Sequence, residues 1–392
     1  MILEIDIIKY TIIYFLSFKN QGDKLQFIFK WLVERKLSKA NADLLSMIKI
    51  HNENFYKRII FHGSLGLGES YMEGWWDCDN IDELIFHILR ANLDKTVKGV
   101  QYKFFNHFKA KFLNLQKKSR AFEIGEKHYD RGNELFENML DKGMNYSCAY
   151  WKNAETLEEA QRNKLELICQ KILIKPKMKI LDIGCGWGGF LKYAAENYNI
   201  SGVGITVSKE QAEYAKNFCK GLPIEIRLID YRSLKSEKFD AVVSIGMFEH
   251  VGYKNYRKFM KVVDKVLKDD GLFLLHTIGT DTSIKATDPW INKYIFPNGM
   301  LPSPLYITKA VEGIFKMEDW HNFGTDYDRT LMCWFKNFDK YWKDKYKEEN
   351  KFYRMWKYYL LSCAGAFRAR NIHLWQIVFS KNGVLGGYNS VR

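Results

Sequence analysis

The second half of the chain alternates between strand-like and helix-like segments, and this alternation constrains the fold more than any other feature. It begins at the apolar run 179–184, KILDIG, and continues to about residue 279. Such alternation predicts a doubly wound α/β fold with a mostly parallel sheet. The predicted strands cover 179–184, 200–205, 224–229, 239–246 and 272–278, and the predicted helices cover 188–197, 208–219 and 254–268.

The order breaks after Gly279. An aromatic-rich helical region is predicted at 329–361, and two late runs, 315–323 and 372–380, have strand character. These two runs could close the sheet in antiparallel orientation at one edge.

A glycine-rich turn follows the first strand. Residues 181–189 read LDIGCGWGG, and glycines here let the backbone approach a ligand that a Cβ would push away. The preceding acid and the lack of a Gly-x-Gly-x-x-Gly ending separate this turn from a dinucleotide fingerprint, since an acid suits a sulfonium amino acid better than a pyrophosphate. The D-x-G-x-G pattern resembles motif I of class I methyltransferases that use S-adenosylmethionine; the alternative is a turn that serves packing alone. The predicted cofactor contacts are Asp182, Gly184, Gly186 and Gly188.

Two further strand ends supply polar candidates for the same ligand. The second strand ends in GITVS, without the acid that commonly holds ribose hydroxyls, so Thr206 and Gln211 are the candidates there. Asp230 and Tyr231 follow the third strand, where a carboxylate can accept from an adenine amino group and a ring can cover the base. The alternative at Asp230 is an acid in a surface loop.

Charge and cysteine content narrow the class of protein. The 392 residues include 60 Lys and Arg against 46 Asp and Glu, a formal charge of +14 that suits an anionic partner. Seven cysteines without a Cys-x-x-Cys argue against a disulfide framework, a zinc ribbon or an iron–sulfur cluster, and favour a reducing cytoplasm. We predict no metal site. The N-terminal apolar run is interrupted by Lys9 and is shorter than the ~20 residues of a membrane span, so neither secretion nor insertion is predicted.

Several motifs taken together resemble one family, the cyclopropane-fatty-acyl-phospholipid synthases. They are HYDRGN at 128–133, YSCAYW at 146–151, the glycine turn, MFEHVG at 247–252, HTIG at 276–279, WINKYIFPNGMLPS at 290–303 and AGAFRAR at 364–370. The resemblance runs from about Gly63 to Lys381. Mycolic acid cyclopropane synthases share the catalytic motifs but generally lack the N-terminal part. Family members often carry an apolar residue in place of Arg131 and Asp-Pro in place of Asp141-Lys142, positions at which we expect no chemistry.

The resemblance implies a class I methyltransferase fold, with a Rossmann-like sheet and a smaller N-terminal accessory domain. It implies transfer of a methylene group from S-adenosylmethionine to the cis double bond of unsaturated acyl chains in membrane phospholipids. The reaction would pass through a carbocation on the chain, which bound bicarbonate would deprotonate so that the ring closes. Positions that match the bicarbonate cage are Cys148, Glu249, His276, Tyr327 and the backbone of Ile278.

These residue types suit an anion held by hydrogen bonds. A thiol, an imidazole, a phenol and a main-chain N–H can donate to carbonate oxygens, whereas Glu249 can accept from the bicarbonate hydroxyl. Each residue also has a structural alternative: Glu249 could cap the helix that follows, His276 could be a satisfied core histidine, and Tyr327 could be a loop anchor.

Three further residues are assigned beside this cage. Cys363 matches a cysteine also proposed as catalytic in the family, but direct methyl transfer needs no covalent nucleophile, so a packing thiol is the alternative. Tyr146 and Ser147 are expected to contact the methionine part of the cofactor.

The predicted domains are 1–94, an accessory lipid-docking domain; 95–120, a basic amphipathic linker; and 121–392, the catalytic domain. The first holds periodic apolar stretches around 25–37 and 81–89 that flank a glycine-rich turn region at 63–79. The linker holds eight Lys or Arg and no Asp or Glu, with a Phe stripe on one helix face, and is predicted to dock on anionic lipid through Lys109, Lys111, Lys117 and Lys118. The alternative is a helix that packs internally.

The expected partners are unsaturated phospholipids, with an anionic surface favoured, and a second copy in a homodimer. The expected location is the cytoplasm, peripherally on the inner face of the membrane. Three other functions compete: a related reaction that yields a methylated olefin or an alcohol, methylation of nucleic acid, and lipid binding without catalysis. Nucleic acid is not an expected partner, because no recognisable nucleic-acid methylation or RNA-binding motif is present.

Overall fold

The computed structural model describes residues 29–35, 44–96, 133–235, 237–284 and 286–392. Its strands are β1 (Lys49–Ile50), β2 (Trp76–Asp77), β3 (Lys179–Ile183), β4 (Ser201–Thr206), β5 (Ile224–Leu228), β6 (Phe239–Ile245), β7 (Leu267–Gly279), β8 (Lys316–Asn322) and β9 (His373–Ser380). The first two pair with each other, and the other seven form one sheet in the order β5-β4-β3-β6-β7-β9-β8.

The large sheet is parallel on one side and antiparallel on the other. Strands β5, β4, β3, β6 and β7 pair in parallel. Strand β9 is antiparallel to both β7 and β8. The predicted α/β fold with an antiparallel edge is therefore confirmed, and the late strand candidates form that edge.

Both faces of the sheet are buried. Along β3, Leu181 and Ile183 join one apolar cluster, while Ile180 joins another. This alternation follows from the two-residue period of a strand, because successive side chains point to opposite faces. Strands buried on both faces read as continuous apolar runs, which explains the sequence pattern at 179–184.

The helices cover both faces of the sheet and extend beyond it. In the residues that the structure describes they are Asn54–His62, Ser64–Met72, Ile81–Arg90, Leu93–Thr96, Asn133–Met139, Leu157–Lys171, Gly189–Tyr198, Lys209–Phe218, Tyr256–Val266, Pro289–Tyr294, Pro304–Val311, Thr325–Tyr346 and Lys351–Arg368. Residues 29–35 are also helical.

The helical region predicted at 329–361 is two helices. Lys347 follows the first with a φ of +60°, and the Asn350 side chain accepts hydrogen bonds from the backbone N–H groups of Phe352 and Tyr353. A left-handed residue followed by an Asn cap ends one helix and begins the next. The spacing of aromatic residues is helical on both sides of residues 347–350, so the sequence pattern does not indicate the boundary between the two helices.

The glycine-rich segment 63–79 was predicted as a turn region, and this prediction is wrong for Ser64–Met72, which is a helix. A Cβ at Gly66 would lie 2.5 Å from the carbonyl oxygen of Arg58, and one at Gly68 would lie 2.4 Å from Cδ1 of Trp290. The glycines therefore allow a close approach of the helix to its neighbours, although glycine has poor helix propensity.

The N-terminal part packs on the helix Lys351–Arg368. Residues between Phe29 and Leu93 share one apolar cluster with that helix. Arg354 donates to the carbonyl oxygens of Tyr71 and Trp76 at 2.6 and 2.9 Å, and Arg368 pairs with Asp82 at 2.8 Å. The division at residues 94 and 120 stays a prediction, because 97–132 lie outside the described residues.

Two other expectations fall on that same stretch. Lys109, Lys111, Lys117 and Lys118, together with most of the HYDRGN motif, lie outside the described residues. Among the helices that are described, none is long and apolar enough to cross a membrane.

Candidate active site

A cavity opens at the carboxyl ends of β3, β4 and β6, the edge at which doubly wound sheets bind ligands. Nine of the ten predicted cofactor residues line it: Tyr146, Ser147, Asp182, Gly184, Gly186, Thr206, Gln211, Asp230 and Tyr231. The tenth, Gly188, is not among the lining residues. A Cβ there would meet Sγ of Cys219 at 2.9 Å, so this glycine serves the packing of two helices.

The turn after β3 needs glycine for its conformation. Gly184 has a φ of +88°, which L side chains rarely adopt, and a Cβ there would lie 2.6 Å from the side chain of Met247. The backbone therefore passes close to the residues that follow β6.

Asp182 is a buried acid near the end of β3. Its side chain is 2% exposed, and among the described residues its Oδ1 atom has no hydrogen-bond partner. Burial raises its pKa to about 7, and the positive charge of Lys164 opposes this rise. An unpartnered buried acceptor that lines a cavity is suited to a ligand that carries donors or positive charge.

Lys164 is a cavity residue that the sequence analysis missed. It lies on the helix Leu157–Lys171 and donates to Oδ1 of Asn145 at 2.9 Å and to Oγ of Ser147 at 3.1 Å. Burial lowers its pKa to about 8, while Asp141 is the largest opposing influence. The available signal was a lysine on the apolar face of a helix, where a long cationic side chain needs polar partners.

The segment that carries Tyr146 and Ser147 is held by local hydrogen bonds. The Asp141 carboxylate accepts from the backbone N–H groups of Gly143 and Asn145, both at 2.9 Å. The hydroxyl of Tyr146 lies 2.9 Å from that of Tyr359. Asp141 therefore shapes the turn that leads into the cavity.

Thr206 and Gln211 form a pair at the end of β4. The Thr206 hydroxyl donates to Oε1 of Gln211 at 3.0 Å. This contact orients the amide, so its nitrogen is the group that can donate to a ligand.

Asp230 lines the cavity and also binds within its own turn. Its carboxylate accepts from the backbone N–H of Arg232 at 2.8 Å and from the same residue's guanidinium at 2.8 and 2.7 Å. Both oxygens are thus engaged, and the acid orders its own turn. Tyr231 lines the cavity and packs edge-on against Phe259 at 5.2 Å.

The four side chains expected to form the anion cage are all buried: Cys148, Glu249, His276 and Tyr327. Burial raises the pKa of Tyr327 well above its usual range. The charges of Cys148, Tyr146 and Glu249 raise this pKa further. The charges that act on Tyr327 come from residues that are distant in sequence, so the fold brings them to the same region of the interior.

Glu249 lies in a short 3-10 helix after β6. Its Oε1 accepts from the backbone N–H of Ile278 at 2.7 Å, while within the described chain its Oε2 is buried without a partner. Burial raises the pKa of this carboxyl to about 7. Glu249 therefore does not cap the following helix, which begins after Asn255. The N–H of Ile278, which was expected to donate to the anion, donates to Glu249 instead.

His276 lies on β7 and is fully buried. Its Nδ1 atom is 3.3 Å from the side-chain nitrogen of Gln376, and its Nε2 has no partner among the described residues. Burial, then the charges of Lys164 and Lys171, hold the pKa of His276 well below its usual range. In a satisfied core histidine both ring nitrogens would have hydrogen-bond partners, whereas the described residues provide a partner for only one nitrogen of His276.

The two candidate cysteines are neutral thiols. Cys148 donates to the carbonyl oxygen of Ala149 at 3.2 Å, and burial raises its pKa well above the usual range. Burial raises the pKa of Cys363 to about 12, with Asp288 adding to the effect. Neither environment produces the thiolate that a covalent nucleophile needs.

Aromatic rings surround Tyr146. Phe136, Trp334 and Phe296 lie at 5.3, 5.2 and 6.4 Å from its ring, and Phe296 contacts Tyr359 at 5.8 Å. Such walls exclude water and can stabilise a cation. In the part of the chain that the structure describes, no group of three or more His, Cys, Asp or Glu could hold a metal ion.

Known proteins match this chain closely. The family model for mycolic acid cyclopropane synthetase matches residues 116–377. The chain is 51% identical to the cyclopropane-fatty-acyl-phospholipid synthase of Escherichia coli (strain K12), over 92% of this chain and 94% of that protein. A solved cyclopropane synthase from Mycobacterium tuberculosis shows 31% identity and a TM-score of 0.62, covering 66% of this chain and 98% of its own. A mycolic acid cyclopropane synthase complexed with SAH and CTAB shows 30% identity and a TM-score of 0.61, with the same coverage.

The sheet order, the glycine turn and these neighbours define a class I S-adenosylmethionine-dependent methyltransferase. The family model spans more than half of the chain, and the bacterial relative spans nearly all of it. The chain belongs to the cyclopropane synthase family.

Proposed function

We propose that this enzyme transfers a methylene group from S-adenosylmethionine to the cis double bond of unsaturated acyl chains in membrane phospholipids, forming cyclopropane fatty acids. Bound bicarbonate is proposed as the base. The observation that carries this proposal concerns two buried atoms that have no partner among the described residues, Glu249 Oε2 and His276 Nε2. Family membership supports the same reaction.

The cavity residues suit S-adenosylmethionine. This co-substrate supplies an electrophilic methyl group on a sulfonium. Asp182 offers its unpartnered carboxylate oxygen to the positively charged end, and Gln211 offers an amide nitrogen to a ribose hydroxyl. Ser147 and Tyr146 line the cavity where the methionine part would lie. Tyr231 offers a ring to the adenine, while Asp230 orders the turn beneath it.

The cage residues suit a small planar anion that also bears a hydroxyl. Bicarbonate supplies a base that can accept a proton from the newly added carbon. His276 and Tyr327 donate hydrogen bonds to its oxygens, and Glu249 Oε2 accepts from its hydroxyl. Cys148 donates as well when its S–H turns from the carbonyl oxygen of Ala149 to the anion. Ile278 acts through Glu249, because its N–H fixes the other carboxylate oxygen.

Water exclusion is the task of the aromatic walls. Methyl transfer to an isolated double bond leaves a cation on the acyl chain that water would trap. Rings such as Tyr146, Trp334 and Phe296 stabilise a desolvated cation by ~0.5–2 kcal/mol each. They also form apolar walls suited to an acyl chain.

Access to the bilayer is proposed to depend on the basic segment 95–120. Its lysines would dock on the anionic inner face of the membrane from the cytoplasm, at roughly 1 kcal/mol for each charge near the surface. A homodimer would place two such segments on one membrane patch. Vesicle binding should weaken as salt rises, and reversing the charge of Lys109, Lys111, Lys117 and Lys118 should release the protein. Unchanged binding would assign the segment to internal packing.

The deciding experiment is mass spectrometry of acyl chains. Purified protein is mixed with methyl-labelled S-adenosylmethionine, bicarbonate and vesicles of monounsaturated phospholipid. A labelled methylene ring across the former double bond is the expected product. Labelled acyclic chains would overturn the deprotonation step, and absence of label would overturn the substrate assignment.

A further inference from the structure

Gln376 is a buried polar residue beside His276, on the antiparallel part of the sheet. It lies on β9 in register with His276 on β7, and it is fully buried. Its side-chain nitrogen is 3.3 Å from Nδ1 of His276. Its Oε1 has no partner among the described residues, so the contact with His276 is the polar interaction given for this buried amide, and packing alone does not account for glutamine here.

We propose that Gln376 is a positioning residue: its amide N–H donates to Nδ1 of His276 and so keeps the single imidazole proton on Nε2, where it can donate to the bound anion. This inference rests on the function proposed above, because it assigns Nε2 a ligand. It adds a residue that acts through His276 and does not touch the reacting atoms.

The tautomer follows from proton counting. A neutral imidazole carries one proton, so a ring whose Nδ1 accepts must carry its proton on Nε2. Burial keeps His276 neutral, since it holds the pKa well below its usual range, and Lys164 and Lys171 add to this effect. The proton then lies on Nε2, the ring nitrogen for which the described part of the chain provides no partner.

The surroundings favour a donor at Nε2. Glu249 is bound to the main-chain N–H of Ile278, which lies two residues after His276 on β7. Glu249 Oε2 is itself an acceptor that no described residue engages. The opposite tautomer would present a lone pair to a site that holds a carboxylate and receives an anion, and this arrangement is repulsive.

The test reads the tautomer directly. The full-length protein is labelled with ¹⁵N-histidine, and long-range ¹H–¹⁵N correlation spectra are recorded without ligand. The nine histidines are separated by comparison with a His276→Asn variant. The wild type is expected to show the Nε2–H form at His276. An Nδ1–H form there would overturn the proposal without any need for a Gln376 variant.

Variants then test whether Gln376 sets this state. Gln376→Met keeps the volume but removes the donor, and it should yield a mixture of tautomers. Gln376→Glu replaces the donor by an acceptor and should move the proton to Nδ1. Ser380→Ala is the matched control, because it removes a buried polar group from the same strand at the other end of the register. An unchanged Nε2–H form in both Gln376 variants would overturn the proposal.

Kinetics separate positioning from a structural role. Gln376→Met should raise the KM for bicarbonate by about tenfold or more, from the weakening of one hydrogen bond to a charged ligand, and leave the KM for S-adenosylmethionine unchanged. An equal rise in the KM for bicarbonate and the KM for S-adenosylmethionine would indicate a structural role and overturn the proposal. If the predicted tautomer is found but no cyclopropane product forms, the positioning role stands and the proposed function fails. If cyclopropane product forms but His276 of the wild type carries the Nδ1–H form, the proposed function stands and the positioning role fails.

Discussion

The main-chain N–H of Ile278 binds one oxygen of Glu249 at 2.7 Å and leaves the other oxygen buried with no partner in the described chain. Such an arrangement fixes the carboxylate and directs its free oxygen into the protein. Leaving an acceptor unsatisfied costs ~1–3 kcal/mol, so the arrangement indicates a ligand.

Replacement of Glu249 by Gln should therefore affect the reaction and not cofactor binding. The amide keeps the volume, and its oxygen still accepts from Ile278, but an NH2 donor takes the place of Oε2 and cannot accept from a bicarbonate hydroxyl. We expect the rate of cyclopropane formation to fall by ~100-fold or more, within the range of general acid–base catalysis. Calorimetric titration with S-adenosylmethionine should give an unchanged Kd. Wild-type turnover in this variant would contradict the role of Glu249 in the cage.

The same substitution should stabilise the fold in a pH-dependent way. The pKa of Glu249 rises from 4.5 to about 7 on folding, because burial penalises the charged form. Stability of the wild type is therefore highest below the unfolded pKa and falls as the pH rises through the folded pKa. The amide of Glu249→Gln does not ionise, so the variant does not lose stability in this way. Its free energy of unfolding should exceed that of the wild type by up to about 3 kcal/mol at about pH 8 and by little at about pH 4. Denaturant melts at several pH values measure the difference; a gap independent of pH would refute it.

Lys164 should control the pH range of cofactor binding. Its charge lowers the pKa of Asp182, which burial has raised to about 7. In Lys164→Met the acid should remain protonated to higher pH, and S-adenosylmethionine should bind ~10-fold more weakly near neutral pH, because a charge-assisted contact is lost. The difference in affinity between Lys164→Met and the wild type should become smaller above about pH 8, because the wild-type lysine itself loses its proton there.

Two further variants make this test specific. Lys164→Arg retains the positive charge and should retain most of the affinity. Asp182→Asn should bind weakly at every pH, because its acceptor cannot ionise. A pH profile of Kd in Lys164→Met that parallels the wild type would show that Lys164 only holds Asn145 and Ser147 in place.

The parallel sheet could be predicted from the sequence because its strands are continuous apolar runs with turn glycines between them. Residues that line the cavity could be predicted for the same reason: Asp182 and Thr206 lie near the ends of β3 and β4, and Asp230 comes shortly after β5, at the edge where these strand ends meet. Periodicity carries no information about partners that come from distant segments. Lys164, which supports Ser147, and Gln376, which faces His276, therefore escaped prediction, as did the engagement of Asp230 by Arg232.

The helix Ser64–Met72 shows the limit of propensity. Its glycines signal a turn in sequence, but Gly68 faces the indole of Trp290 from the catalytic part of the chain. Gly68→Ala should destabilise the protein by about 1–3 kcal/mol, the usual cost of overpacking, although alanine favours a helix. In Trp290→Leu, which has a smaller side chain, the same substitution should cost much less. Denaturant melts of the two single variants and the double variant measure this coupling. An additive cycle would show that the contact between the N-terminal helix and Trp290 does not limit packing.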